Sequence, residues 1–69
     1  MAGMQLVLMN KERIATEKVN GLTVNDGQYL PEIGDMTEVK GKTYRVENRH
    51  VPLTGFGQII TLYLVELSG

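Results

Sequence analysis

Glycine divides the middle of this chain at a pitch that no ordinary helix accommodates: Gly21, Gly27, Gly34 and Gly41 follow one another at intervals of six or seven residues. A mean α-helix runs about 11 residues and a mean strand about 5 to 6, so the intervals fit strands. Asn20-Gly21 and Asn25-Asp26-Gly27 are the residue types that tolerate positive φ in tight hairpin turns. Pro31 pushes Leu30 into extended geometry ahead of a bend at Gly34-Asp35, and a further hairpin is expected at Lys40-Gly41-Lys42.

Alternation fills the intervals. Met4, Leu6 and Leu8 share one face of a first strand, with Gln5, Val7 and Met9 on the other. Asn10-Lys11-Glu12 then turns the chain into a second strand, with Ile14 and Thr16 on one face and Ala15, Glu17 and Val19 on the other. A short helix over 11–19 is the alternative, N-capped by Asn10 and ended by Gly21, although its two turns would carry a thin apolar stripe. After Gly41, Tyr44, Val46, Asn48 and His50 face the core, and Thr43, Arg45, Glu47 and Arg49 face water. Pro52 to Gly57 makes a loop with Phe56 at its tip, and the last strand, Ile59 to Leu67, is apolar on both faces.

Five or six short antiparallel strands in 69 residues predict an all-β domain, a small strongly bent barrel or sandwich of the Src-homology-3-like kind. One domain covers 4–69, and Met1-Ala2-Gly3 reads as a leader added ahead of a native start at Met4. A core of this size supplies only about 3 to 5 kcal/mol, and without cysteine there is no disulfide to add to it. A small barrel has one interior, so the row Ile59, Tyr63, Val65 and Leu67 needs a cover. Either the segment from Arg13 to Val19 packs outside the barrel or a second copy of the chain does, and a homo-oligomer with those four residues at its interface is expected.

The same composition excludes most chemistry. No Cys and a single His, His50, remove thiolate zinc sites, cysteine nucleophiles and multi-histidine metal centres, and no Asp-x-Asp spacing suggests a cation cage. As a general base His50 would need a carboxylate such as Glu47 or Asp35 and a nucleophile such as Thr54, but its phase places it at the end of the core row. Gly55-Phe56-Gly57 leads into a strand, whereas a phosphate loop needs a helix. No catalytic residue, metal or cofactor is expected. Seven basic against eight acidic side chains, a net charge of −1, give little counterion-release drive toward nucleic acid. Met4 to Met9 is too short for a secretion signal or a membrane span, so a cytoplasmic protein without membrane contact is expected.

Binding candidates remain. In a regular strand Arg45 and Arg49 project on one face about 13 Å apart with Glu47 between them, and Lys42 precedes them at the turn. That row is either a solvated face or a contact for an anionic group. Phe56, Tyr29 and Tyr63 are the aromatic anchor candidates, and His50 borders the basic row; Met9 and Met36 read as core filling.

The stretch Leu30 to Arg49, L-P-E-I-G-D-M-T-E-V-K-G-K-T-Y-R-V-E-N-R, resembles a pattern in short phage, prophage and bacterial reading frames that carry no assigned activity. In those frames a Pro-x-x-Gly-Asp turn leads into a hairpin closed by Gly and followed by Tyr-x-Val-x-x-Arg. The resemblance implies a small non-enzymatic protein-interaction module, encoded by a phage or mobile element, that binds a host protein or defence factor, inhibition being one form of that role. Two alternatives stand beside it: a binder of an anionic ligand or nucleic acid through Lys42, Arg45, Arg49 and His50, and a structural part of a virion.

Overall fold

The computed structural model describes residues 2–25, 27, 29–51 and 59–67, with Ala2 described by its backbone alone. Five strands form one sheet: β1 (Ala2–Met9), β2 (Ala15–Val24), β3 (Met36–Val39), β4 (Lys42–His50) and β5 (Ile59–Glu66), in the order β2-β1-β5-β4-β3. The sheet curls into a half-barrel, so the fold is a small, strongly bent all-β domain. No helix occurs among the described residues, and most of 11–19 belongs to β2 and the turn before it.

The strands are not all antiparallel. β5 lies between β1 and β4, and it runs parallel to β1. Its sheet neighbours satisfy both of its backbone edges, whereas its two apolar rows need side chains packed over both faces. Ile60, Leu62 and Leu64 point inward, in register with Met4, Leu6 and Leu8, and Tyr44 and Val46 of β4 complete the buried cluster. Val19, Leu22 and Val24 of β2, Val39 of β3 and Leu30 of the β2–β3 connection pack against it. On the outer row Thr61 is 6% and Val65 4% exposed within the single chain, so the outer face is covered in part by flanking side chains of the same sheet. Ile59 and Leu67 keep 50% and 36% exposure, and Tyr63 is half-buried.

Three extra residues in the ladders decide which side chains face in. Met4 pairs with Leu22 and Leu6 with Val19, so β2 holds one residue more than β1 across that interval. Asn20-Gly21, expected to turn a hairpin, absorbs it as a bulge inside the ten-residue β2, with Gly21 at φ 80°. The bulge places Val19 and Leu22, three apart, on the same inner face. A second bulge at Thr16 lies between the pairs Leu8–Glu17 and Met9–Ala15, and the Thr16 hydroxyl donates to the Leu8 carbonyl at 3.2 Å. Ala15 is therefore on the face opposite Glu17 and Val19, contrary to plain alternation. The third extra residue is Glu47 in β4, between the pairs Val46–Leu64 and Asn48–Tyr63.

The turns follow their residue types. Asn10 organises the β1–β2 reversal: its carbonyl accepts from the Arg13 N–H at 2.9 Å, and its Oδ1 accepts from the N–H groups of Glu12 and Ile14 at 2.9 and 3.0 Å. Gly34 takes φ 96° in the turn closed by Asp35 N–H to Glu32 O at 2.9 Å. Lys40 and Gly41, at φ 53° and 80°, make the two-residue hairpin between Val39 and Lys42.

The curl leaves β2 and β3 as edges instead of closing the barrel with hydrogen bonds. Both edges are poor templates for another strand, since β3 has four residues and β2 carries two bulges and the charges of Glu17 and Lys18. The Lys40 ammonium, at the tip of the β3–β4 hairpin, pairs with Glu17 of β2 and links the two edge regions by side chains. Met36 is not core filling: opposite Arg45 on the outer side of the edge strand, it is 72% exposed.

The β2–β3 connection contains a proton-sensitive contact. The Tyr29 hydroxyl donates to Asp35 Oδ2, which also accepts the Glu32 N–H at 3.0 Å. The hydrogen bond from Tyr29, followed by that from Glu32, holds the Asp35 carboxyl below its usual range, and the same bond to Asp35 raises the Tyr29 hydroxyl above its own. A depressed carboxyl contributes stability that is present above its unfolded pKa, about 3.9, and lost as pH falls through the folded value. The raised Tyr29 contributes below its unfolded pKa, about 10, and that contribution is lost as pH rises through the folded value. Tyr29→Phe is expected to melt below wild type near neutral pH, with the gap closing at both acidic and strongly alkaline pH. Melting curves across that range check it, and a gap independent of pH would refute the assignment.

Candidate functional site

Because paired residues point to the same side of a sheet, the ladders define the outer surface row by row. One row runs Ala15, Met9, Val65, Arg45, Met36 across all five strands, and the next runs Lys18, Val7, Tyr63, Asn48. The β1–β2 turn lies at the end of the sheet where Met9 meets Val65. The backbone bonds to Asn10 hold Arg13 at φ 64°, an uncommon conformation for a residue other than glycine. From there its side chain spans the width of β5 to β4, where Nε and Nη2 reach Glu47 Oε1 at 2.9 and 2.5 Å. Arg45 Nη2 approaches the same oxygen at 3.6 Å.

These groups border a cleft of about 230 Å³ lined by Lys11, Arg13, Arg45, Val65, Glu66 and Leu67. Glu66 is already paired with the Lys42 ammonium at 3.1 Å, and that carboxylate raises the Lys42 pKa. Arg13 and Arg45 thus share one carboxylate, Glu47, and Lys11 adds a third cation to the lining, in a chain whose net charge is −1.

Of the basic row read from the sequence, only Arg45 belongs to this cleft. Lys42 pairs with Val39 at the inner end of β4 and turns to Glu66. Arg49 lies opposite Leu62 on the inner side, where its Nη1 donates to the Pro31 carbonyl at 3.1 Å. The cause is the extra residue Glu47, which reverses the facing of everything after it, so Arg45 and Arg49 do not share a face. The same reversal puts His50 opposite Thr61 on the outer side, exposed, and not at the end of the core row.

The carboxylates considered as partners for His50 are engaged elsewhere, Asp35 with Tyr29 and Glu47 with Arg13. Phe56 and Thr54 lie outside the described residues. Among the interface candidates, Ile59, Tyr63 and Val65 share the outer row of β5, and the Leu67 N–H donates to the Thr43 carbonyl at 2.8 Å just beyond the strand. Lys11 and Arg13 were not legible as site residues, because the only local signal is a turn at Asn10, and the partner of Arg13 lies 34 positions away.

Among the described residues no group of three His, Asp or Glu gathers as a metal site, and no helix is long and apolar enough to cross a membrane. In comparisons with known proteins, no family model, curated protein or solved structure matches this chain.

Proposed function

We propose that this protein is a small non-enzymatic binding module that docks a partner protein on the outer face of its sheet. The observation that carries the reading is the row Met9, Val65, Arg45, Met36, which sets an arginine beside a methionine 72% exposed, at the border of the cationic cleft. Arginine anchors with apolar neighbours concentrate interface energy, and methionine adapts its shape to a partner. Lys42, Arg45 and Arg49 point in different directions, so a backbone of phosphates has no continuous basic track to follow. In the setting that the phage-like pattern of Leu30 to Arg49 implies, the partner is a host protein.

Affinity purification of a tagged copy from its native host tests the proposal, alongside a Met36→Glu/Arg45→Glu variant with unchanged circular dichroism. One stoichiometric protein is expected with the parent chain, with the variant binding it at least about tenfold more weakly, or about 1.4 kcal/mol. An interface with an apolar centre survives raised salt. Recovery of RNA or nucleotide alone, or equal recovery by the variant, overturns the proposal.

A further inference from the structure

We infer that the cleft between Lys11, Arg13 and Arg45 is a recognition site for a carboxylate side chain on an acidic segment of the partner protein, with Glu47 as the internal carboxylate it joins or displaces. The inference rests on the module reading above. Size supports a side chain over a free ligand: about 230 Å³ falls below the roughly 300 to 1,000 Å³ of small-molecule pockets. The walls are polar and cationic, while Val65 and Leu67 provide an apolar lining for the methylenes of a glutamate.

Donor geometry supports a carboxylate. Glu47 Oε1 already accepts from Arg13 through Nε at 2.9 Å, which shows what the guanidinium takes at this place. Arg45, 3.6 Å from that oxygen, stands beyond hydrogen-bond length, so its planar fork is not spent on Glu47. Lys11 forms no ion pair among the described residues. Two of the three cations therefore retain donors for an incoming anion. Glu66 in the lining and Glu47 on the arginines beside it disfavour a chain of phosphates, which must place several negative charges close together.

An NMR titration with an end-blocked peptide carrying one glutamate among serines and glycines tests the site on the intact chain. The signals of Lys11, Arg13, Arg45 and Val65 to Leu67 are expected to move together. Arg45→Gln and Lys11→Gln, each verified as folded by its dispersed amide spectrum, should weaken binding about tenfold. Glu47→Gln should tighten it about threefold, since an internal competitor of half-exposed ion-pair strength is removed. The inference fails if the shifts fall elsewhere, if Glu47→Gln brings no gain, or if inorganic phosphate or a short oligothymidylate moves the same signals at lower concentration. If the peptide does not bind while a purified protein partner binds both Gln variants like the parent, the cleft assignment falls and the module reading stands. If the peptide binds here but no protein partner is found, the carboxylate site stands, and its assignment to a partner protein falls with the module reading.

Discussion

Leu64→Ala is expected to leave most of the chain unfolded under conditions where the parent is native. Leu64 is 0% exposed at the centre of β5, in register with Leu8 on one side and Val46 on the other, and both of those are also buried. Truncating a buried leucine costs about 2 to 5 kcal/mol, since the lost transfer energy is joined by the cavity left behind. A single-core domain of this size holds only about 3 to 5 kcal/mol in total, so the substitution removes most of it. On the outer face of β1, Val7→Ala shortens a half-buried side chain and should cost under about 1 kcal/mol. Urea titrations followed by circular dichroism compare the two. A Leu64→Ala midpoint as high as that of Val7→Ala would show that the inner row is not the core.

The rows that meet in that core were legible because they are local and regular. Met4, Leu6 and Leu8, and both apolar rows of Ile59 to Val65, lie where period-two alternation puts them. The bend at Gly34 and the hairpin at Lys40-Gly41 were legible because their backbone angles admit few residue types. The pairing of β1 with β5 was not, since it joins segments more than fifty positions apart and neither carries a mark of its partner.

Bulges were the second blind spot. Asn20-Gly21 supplies the positive φ that both a hairpin and a bulge can use, and the length of the facing strand decides between them. Glu47 has no signature at all: it is an ordinary residue in an alternating stretch. That omission propagated directly into the candidate site, where it moved Arg49 and His50 to the wrong faces and hid the role of Glu47 as the group that Arg13 and Arg45 share. Of the two covers considered for the outer row of β5, the segment from Arg13 to Val19 contributes one side chain. The Arg13 side chain, anchored by the Asn10 turn, reaches over the strand to its far neighbour, and the cleft it borders includes Val65.

Single-residue deletions in β4 should therefore have opposite consequences depending on position. Val46 pairs with Leu64, Asn48 with Tyr63 and Arg49 with Leu62, so Glu47 is surplus to the ladder. Deleting Glu47 restores a regular antiparallel register in which each of those pairs survives, and the chain should fold with its core unchanged. Arg13 and Arg45 would lose their shared carboxylate, an exposed contact worth under about 1 kcal/mol. Deleting Arg45, two positions earlier, has no such slack. Tyr44 would move opposite Val65 onto the outer row, and Thr43 would follow onto the inner side. A one-residue slip reverses the facing of every side chain beyond it. Tyr44 is 6% exposed in the native chain, and removing a buried aromatic from a core costs about 3 to 5 kcal/mol. Because the chain from Met36 to Val39 pairs only with β4, the β3–β4 hairpin would lose its packing together with Tyr44. Amide spectra of the two deletion variants separate the cases: dispersed signals for the chain lacking Glu47, collapsed signals for the chain lacking Arg45. If both chains fold equally well, or if the first also collapses, Glu47 is not the surplus residue, and the facing of Arg49 and the make-up of the cleft must be reassigned.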